Sequence, residues 1–314
     1  MQIIKTILQT DIFQSRPPVL VDIGASGEIN PKWKLIAPYS ICIAFDADDR
    51  EFHVSEQTNE AYKKLFVFNR IVTAGAVDKA DFYLTSSPFC SSLLKPDAKS
   101  LSSWIFSSLF AIERKTELPA ITVQQALIKI NINYIDWFKT DTQGTDLRLF
   151  KTLPSQMADH VLAAEFEPGI LDAYIGEDKL YSVMDYMQHH KFWLSSMQPK
   201  GVQRLEKSYV NKLGSFASGK IIKRSPGWAE VTYLRETLSI DKRQLLLLYI
   251  FALLEKQYGF ALEVIDFAMK HFFNDAIFED CKKAVLKKLS IEKWKIPFVI
   301  IKRRINKLFA NIND

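Results

Sequence analysis

Short apolar runs that end in acids alternate along this chain with stretches of mixed polarity. The first run reads Pro18-Val19-Leu20-Val21-Asp22-Ile23 and is closed by Gly24, Ala25, Ser26 and Gly27. A continuous apolar run bounded by a glycine turn predicts a strand buried on both faces. A short helix is expected over 28–37, limited by Pro31 and stopped by Pro38. The next apolar run, Ile41–Phe45, ends in the acids Asp46, Asp48 and Asp49. Strand, glycine turn, helix, strand and acid is the opening of a doubly wound α/β sheet.

The pattern continues with a helix over 56–64, a third strand over 66–72 and an extra strand over 81–85. The Ser-rich segment 86–95 contains Pro88 and predicts a loop over a site. Residues 99–118 have no clear period. Thr122 is a predicted N-cap for a helix over 123–130, with Gln125 in the capping-box position. A strand over 134–140 runs into Asp141-Thr142-Gln143-Gly144, followed by a helix over 145–153. Strands are predicted over 160–166, 191–196 and 228–235, with a helix over 179–190. Residues 200–227 hold four glycines and read as loops with short extended pieces. After 238 the pattern changes to helices over 241–257, 259–273 and 278–290. The expected organisation is a catalytic domain over 1–237 and a helical, basic extension over 238–314.

Composition narrows the classes. Apolar residues make up 48% and charged residues 25% of the 314 residues, which fits a globular chain and excludes low-complexity disorder. Cys42, Cys90 and Cys281 are scattered and form no CxxC pair, so a disulfide framework or cysteine-built zinc site is not expected. No signal-peptide pattern is read at the N-terminus, and the longest apolar stretch, Leu245–Leu254, is too short to span a bilayer. A cytoplasmic location is expected. The net charge of +5 is unevenly placed. Residues 281–314 carry ten Lys or Arg and two acids, a net of +8, leaving −3 for the rest. That argues against nucleic-acid binding by the whole chain.

Chemistry gathers at the strand ends. Glycines after the first strand let a ligand approach the backbone. An acid after the second strand, here Asp46, can accept hydrogen bonds from a ribose. The glycine spacing is not GxGxxG, and Asp22 would be unfavourable beside a pyrophosphate. Asp22 would suit a ligand with a cationic or amine-bearing end. Asp141 and Glu165 end two strands expected to be neighbours, and Lys139 shares a strand face with Asp141. None of the five histidines forms HExxH, and no metal site is expected.

Three blocks carry a resemblance: VLVDIGASGEINP, IAFDADDREF and YIDWFKTDTQGTDLRLFKTL. They resemble successive blocks of the FkbM family of S-adenosylmethionine-dependent methyltransferases, over roughly residues 18–195. The late block, Asp136 to Gly144, is the most specific; Ser91-Ser92-Leu93-Leu94 and Glu165-Phe166 are also similar to family features. The resemblance implies a Rossmann-like class I methyltransferase sheet with a reversed last strand, and S-adenosylmethionine as cofactor. It places Asp22 near the amino-acid end of the cofactor, Gly24, Ala25 and Gly27 along it, and Asp46 on the ribose. It implies O-methylation of a sugar or glycan hydroxyl. From their place at the strand ends, Asp141 is the candidate for positioning the acceptor or cofactor and Glu165 the candidate base, while Lys139 either pairs with Asp141 or is a buried structural charge. Ser91, Ser92 and Gln143 are candidate acceptor contacts. The chain departs from the family in Asp46 for Glu, Ala47 for Pro and Gln143 for Glu.

Two other readings stand beside it. Gln143 removes a family carboxylate, which fits a degenerate adenosyl-binding or scaffolding protein. A nucleotide-sugar enzyme is the other, disfavoured by the glycine spacing. For the tail, residues 282–307 interleave cations with apolar side chains, which suits either a packed final helix or a peripheral membrane contact.

Overall fold

The computed structural model describes residues 2–24, 30–46, 61–237, 241–294 and 296–297. They form two compact units, one of Leu8–Glu236 and one of Met1–Ile7 with Thr237–Asp314.

The larger unit is a mixed α/β fold, broadly Rossmann-like. Its strands are β1 (Val19–Ile23), β2 (Ile41–Phe45), β3 (Lys64–Phe68), β4 (Ile71–Val72), β5 (Lys79–Thr85), β6 (Ile112–Ile121), β7 (Trp137–Thr140), β8 (Ala163–Phe166), β9 (Phe192–Gln203) and β10 (Arg224–Arg235). Seven form one sheet in the order β3-β2-β1-β7-β8-β10-β9. The first five are parallel, while β10 runs antiparallel to both β8 and β9. The chain moves outward from β1 to β3 and then restarts on the other side of β1 with β7. The switch point lies between β1 and β7, where ligands of such sheets bind beyond the carboxyl ends of the strands.

Strand alternation explains the sheet's two buried faces. Val19, Val21 and Ile23 share a core with Phe138, Ala164 and Phe166. Helices Val123–Lys129, Asp146–Lys151 and Leu180–His189 cover that face through Leu127, Phe150, Val183 and Met187. On the opposite face Trp33, from the 3-10 turn Pro31–Leu35, meets Trp137 edge to face at 6.0 Å. Thr122 caps its helix with the full capping box to Gln125.

Three sequence expectations need correction. The helix over 28–37 is replaced, where described, by the 3-10 turns Pro31–Leu35 and Ala37–Tyr39, since Pro31 and Pro38 leave no room for an α-helical turn. The strand over 66–72 breaks at Asn69-Arg70 into β3 and β4, which belong to different sheets. Residues 200–227 are mostly regular: β9 runs to Gln203, helices Lys207–Leu213 and Ser215–Ile221 follow, and β10 starts at Arg224. The helix expected over 56–64 lies largely outside the described residues. A second, three-stranded sheet has the order β4-β6-β5.

In the smaller unit, helices Lys242–Leu254, Tyr258–His271 and Ala276–Lys293 pack in sequence. Asp241 caps the first through a capping box with Gln244, and the Tyr249 hydroxyl donates to the Cys281 carbonyl at 2.9 Å. Among the described residues no helix is long and apolar enough to cross a membrane.

Candidate functional site

Two rows of residues cross the carboxyl end of the large sheet. In the first, strand register aligns Ala44, Asp22, Lys139, Glu165 and Thr232. Two residues further along each of the parallel strands stand Asp46, Gly24, Asp141 and Glu167. The ladder carries into this second row, with Gly24 N–H donating to Phe45 O and Asp141 N–H to Ile23 O, both at 2.9 Å.

The first row is closed by ion pairs. Lys139 Nζ lies 2.7 Å from Asp22 Oδ1, and Asp22 Oδ2 accepts the Asn30 N–H at 3.0 Å. Glu165 accepts from Asn30 Nδ2 and Lys32 Nζ, each at 2.8 Å, and Lys32 also donates to the Thr232 hydroxyl at 3.1 Å. Burial pushes Lys139 toward its neutral form, but Asp22, Asp141 and Glu165 more than offset this and hold its pKa above the ordinary value. None of Asp22, Lys139 and Glu165 lines the adjoining cavity. Asp22 is thus fully buried and ion-paired, and Lys139 pairs with it more directly than with Asp141.

The second row lines that cavity, which has a volume of about 460 Å3. Gly24 adopts φ +77°, and a Cβ there would sit 2.0 Å from the Asp141 carbonyl oxygen, so only glycine fits. Aromatic walls come from Phe45, Phe106, Phe110, Tyr174 and Trp228. The Phe106 and Trp228 rings are parallel, with centroids 6.2 Å apart. Four carboxylic residues, Asp46, Asp141, Glu167 and Glu177, line the cavity, and Arg70 is the basic residue among the described lining. Glu177 is already engaged, accepting from the Ala173 N–H and from Lys179 Nζ, each at 2.7 Å.

Asp141 and Glu167 form the centre. Their carboxyls are close enough for the charge of Asp141 to act on Glu167. Trp228 Nε1 donates to Glu167 Oε1 at 2.6 Å, and Gln143 Nε2 donates to Asp141 Oδ1 at 2.8 Å. Burial and the charge of Asp141 push the Glu167 carboxyl up to about 9, so Glu167 holds the proton at neutral pH. This donation from the Gln143 amide to Asp141 is one that a glutamate there could not make. Gln143 is itself oriented by the Tyr174 hydroxyl at 3.1 Å, and has φ +56°. Behind the pair, burial and Asp141 raise Asp146 to about 6.

The other sequence candidates are placed as follows. Ser91 lines the cavity, and its hydroxyl accepts the Thr85 N–H at 3.1 Å. Ser92 is fully buried; it donates to Gln143 O at 2.8 Å and accepts the Leu94 N–H at 3.0 Å, so it shapes the Gln143 turn. Ala25 and Gly27 lie outside the described residues. Cys90 lines the cavity, where burial pushes its thiol up to about 11, leaving it a poor nucleophile. Among the described residues no group of three or more His, Cys, Asp or Glu is placed to hold a metal. Glu167 and Trp228 were missed. The signal for Glu167 was its position two residues beyond Glu165, the same step that separates Asp141 from Lys139. A scan of protein-family models finds none that matches this chain, and a search of curated proteins finds no match either.

Proposed function

We propose that the larger unit is an S-adenosylmethionine-dependent O-methyltransferase of the FkbM type, acting on a hydroxyl of a sugar or glycan. The observation that carries this reading is an acid-rich, aromatic-walled cavity at the switch point between β1 and β7, with Asp46 at the end of β2 on its wall. The strand order supports it, because β10, the last strand, is reversed and inserted between β8 and β9, as the resemblance implies.

The residues fit such a cofactor. Asp46 would accept the ribose hydroxyls, and the side-chain-free Gly24 lets the backbone approach. Phe45, Ile71 and Val72 offer an apolar face for an adenine ring. The excess of acids over Arg70 suits a cationic donor and opposes a diphosphate, which weighs against the nucleotide-sugar reading. Bound S-adenosylmethionine supplies an electrophilic methyl group on a sulfonium. Phe106 and Trp228 would stack on the apolar face of a sugar and exclude water. Asp141, held by Gln143 beside Glu167, receives the acceptor's hydroxyl proton. Gln143 keeps a hydrogen bond to Asp141, which weighs against a degenerate site.

Calorimetric titration with S-adenosylhomocysteine tests the reading. Micromolar binding, about −8 kcal/mol, is expected for the wild type. Asp46→Ala should weaken it by roughly tenfold or more, about 1.4 kcal/mol for each factor of ten. No binding by folded wild type overturns the assignment.

A further inference from the structure

We propose that the helical pair Lys207–Leu213 and Ser215–Ile221 is a docking surface for an anionic lipid bilayer. The pair sits at the far end of the β9–β10 hairpin, whose strands are twelve residues each. It is tied to the body on its inner side. Ser218 is fully buried, and Gln203 Nε2 donates to the Gly219 carbonyl at 3.1 Å.

The outer side is apolar where a surface helix should be polar. Phe216 is 80% exposed, Ile221 67%, Tyr209 52% and Leu213 45%. Tyr209 and Leu213 are four apart and share a helix face. Single exposed apolar residues are ordinary, but four large ones within thirteen residues concentrate exposed apolar surface on this helical pair.

Charge identifies the occupant. Residues 206–224 hold Lys207, Lys212, Lys220, Lys223 and Arg224 against Glu206, a net of +4. All five cations are exposed, and none forms an ion pair among the described residues. The cations lie beside the apolar groups. Lys212 Nζ is 5.4 Å from the Tyr209 ring centroid and Lys220 Nζ 6.0 Å from that of Phe216. Aromatic and aliphatic side chains ringed by lysines on flexible stems are what an acidic headgroup layer over hydrocarbon accepts. A second copy would bring the same positive patch against this one and be repelled. A nucleic acid would use the cations but leave Leu213 and Ile221 without a partner.

The basic helix Ala276–Lys293 differs. Its Lys282 is paired with Asp266 at 2.7 Å and its Lys288 with Glu292 at 3.0 Å, which leaves less charge for a bilayer. Docking through 207–224 does not depend on the methyl-transfer reading. Under that reading it has a consequence, because the Ile105 N–H donates to Gln203 O next to Phe106 of the cavity wall. A lipid-borne acceptor would then be presented beside the site.

Flotation of the full chain with phosphatidylcholine vesicles, with and without phosphatidylglycerol, is the test. Binding should require phosphatidylglycerol and fall as salt rises. Lys212→Gln with Lys220→Gln should weaken it about fivefold per cation. Phe216→Ser with Ile221→Ser, both exposed and free of folding duties, should abolish it while the circular dichroism spectrum and S-adenosylhomocysteine affinity stay unchanged. Lys287→Gln with Lys293→Gln should leave it intact. The proposal is overturned by wild type that ignores anionic vesicles. It is overturned equally if the Lys287 and Lys293 pair abolishes flotation in place of the Phe216 and Ile221 pair. Dimerisation in solution lost with Phe216→Ser and Ile221→Ser, without vesicle binding, would also overturn it and assign the patch to a second copy.

Discussion

The two rows at the end of the sheet use the same kinds of residue to opposite ends. Asp22, Lys139 and Glu165 stand inside the strands, where neighbouring backbones are fixed in register and an opposite charge can be built next to each acid. Asp46, Asp141 and Glu167 stand two residues later, on the cavity wall, where Asp141 takes an amide and Glu167 an indole as hydrogen-bond partner. A shift of two residues keeps the same side of each strand but crosses from protein interior to cavity wall. The inner row spends its electrostatics on itself. The outer row keeps a negative field directed into an apolar space, where a cationic or hydroxyl-bearing ligand would feel it most. Charge in a sheet is thus read by its distance from the strand end, not by residue type.

The strongest break in this comparison is Lys139→Met. It leaves Asp22, fully buried, with one backbone donor and no cation. Loss of one partner from a buried pair costs about 3–5 kcal/mol. Urea unfolding should show that loss, and Asp22→Asn in the same chain should recover much of it. A loss below about 1 kcal/mol would mean the inner row is not a closed scaffold. The outer row is broken by pH instead. Glu167 is raised from 4.5 to about 9, so between those values the folded state holds a proton that the unfolded chain has released. Stability attached to this group is therefore greatest at low pH and falls as pH rises through the window, by at most ~1.4 kcal/mol per unit. Asp146, raised to about 6, adds the same sign in the acidic part. Glu167→Gln keeps a donor to Asp141 and should flatten the decline between pH 6 and pH 8. A wild-type profile already flat there would dispose of the raised Glu167 carboxyl.

Much of the fold was legible because single residues force the local structure. Pro18 to Ile23 could only be a buried strand closed by a glycine, and the Thr122 capping box fixed a helix start. Asp46 and Asp141 were legible as strand-end acids. Glu167 was not, because Glu165 is the first acid met in that strand and only cross-strand register tells which of the two passes the ladder. The strand β6 was opaque since its first half, Ile112 to Glu117, is largely exposed and carries charge on both faces. The pair of helices within 207–221 was hidden by Gly214 and Gly219, which read as loop punctuation. There Gly214 adopts φ +81° as the joint between the helices, and Gly219 sits within the second.

The smallest expected effect sharpens the comparison most. Glu165→Gln removes one charge from the inner row, but its partner Lys32 has a side chain 37% exposed. Solvent screens such a pair, so the loss should be only ~0–1 kcal/mol. The amide can still accept from Asn30 Nδ2, and the change lies outside the cavity lining, so S-adenosylhomocysteine affinity should stay within about twofold, ~0.4 kcal/mol. The two measurements together locate the working acid. If Glu165→Gln leaves both stability and binding nearly unchanged and lowers methyl transfer only slightly, while Asp141→Asn removes methyl transfer, the proton acceptor belongs to the outer row. If Glu165→Gln abolishes methyl transfer with binding intact, the ion pair with Lys32 opens during the reaction. The inner row would then be a switch, and the boundary at the strand end would have to be drawn one step earlier.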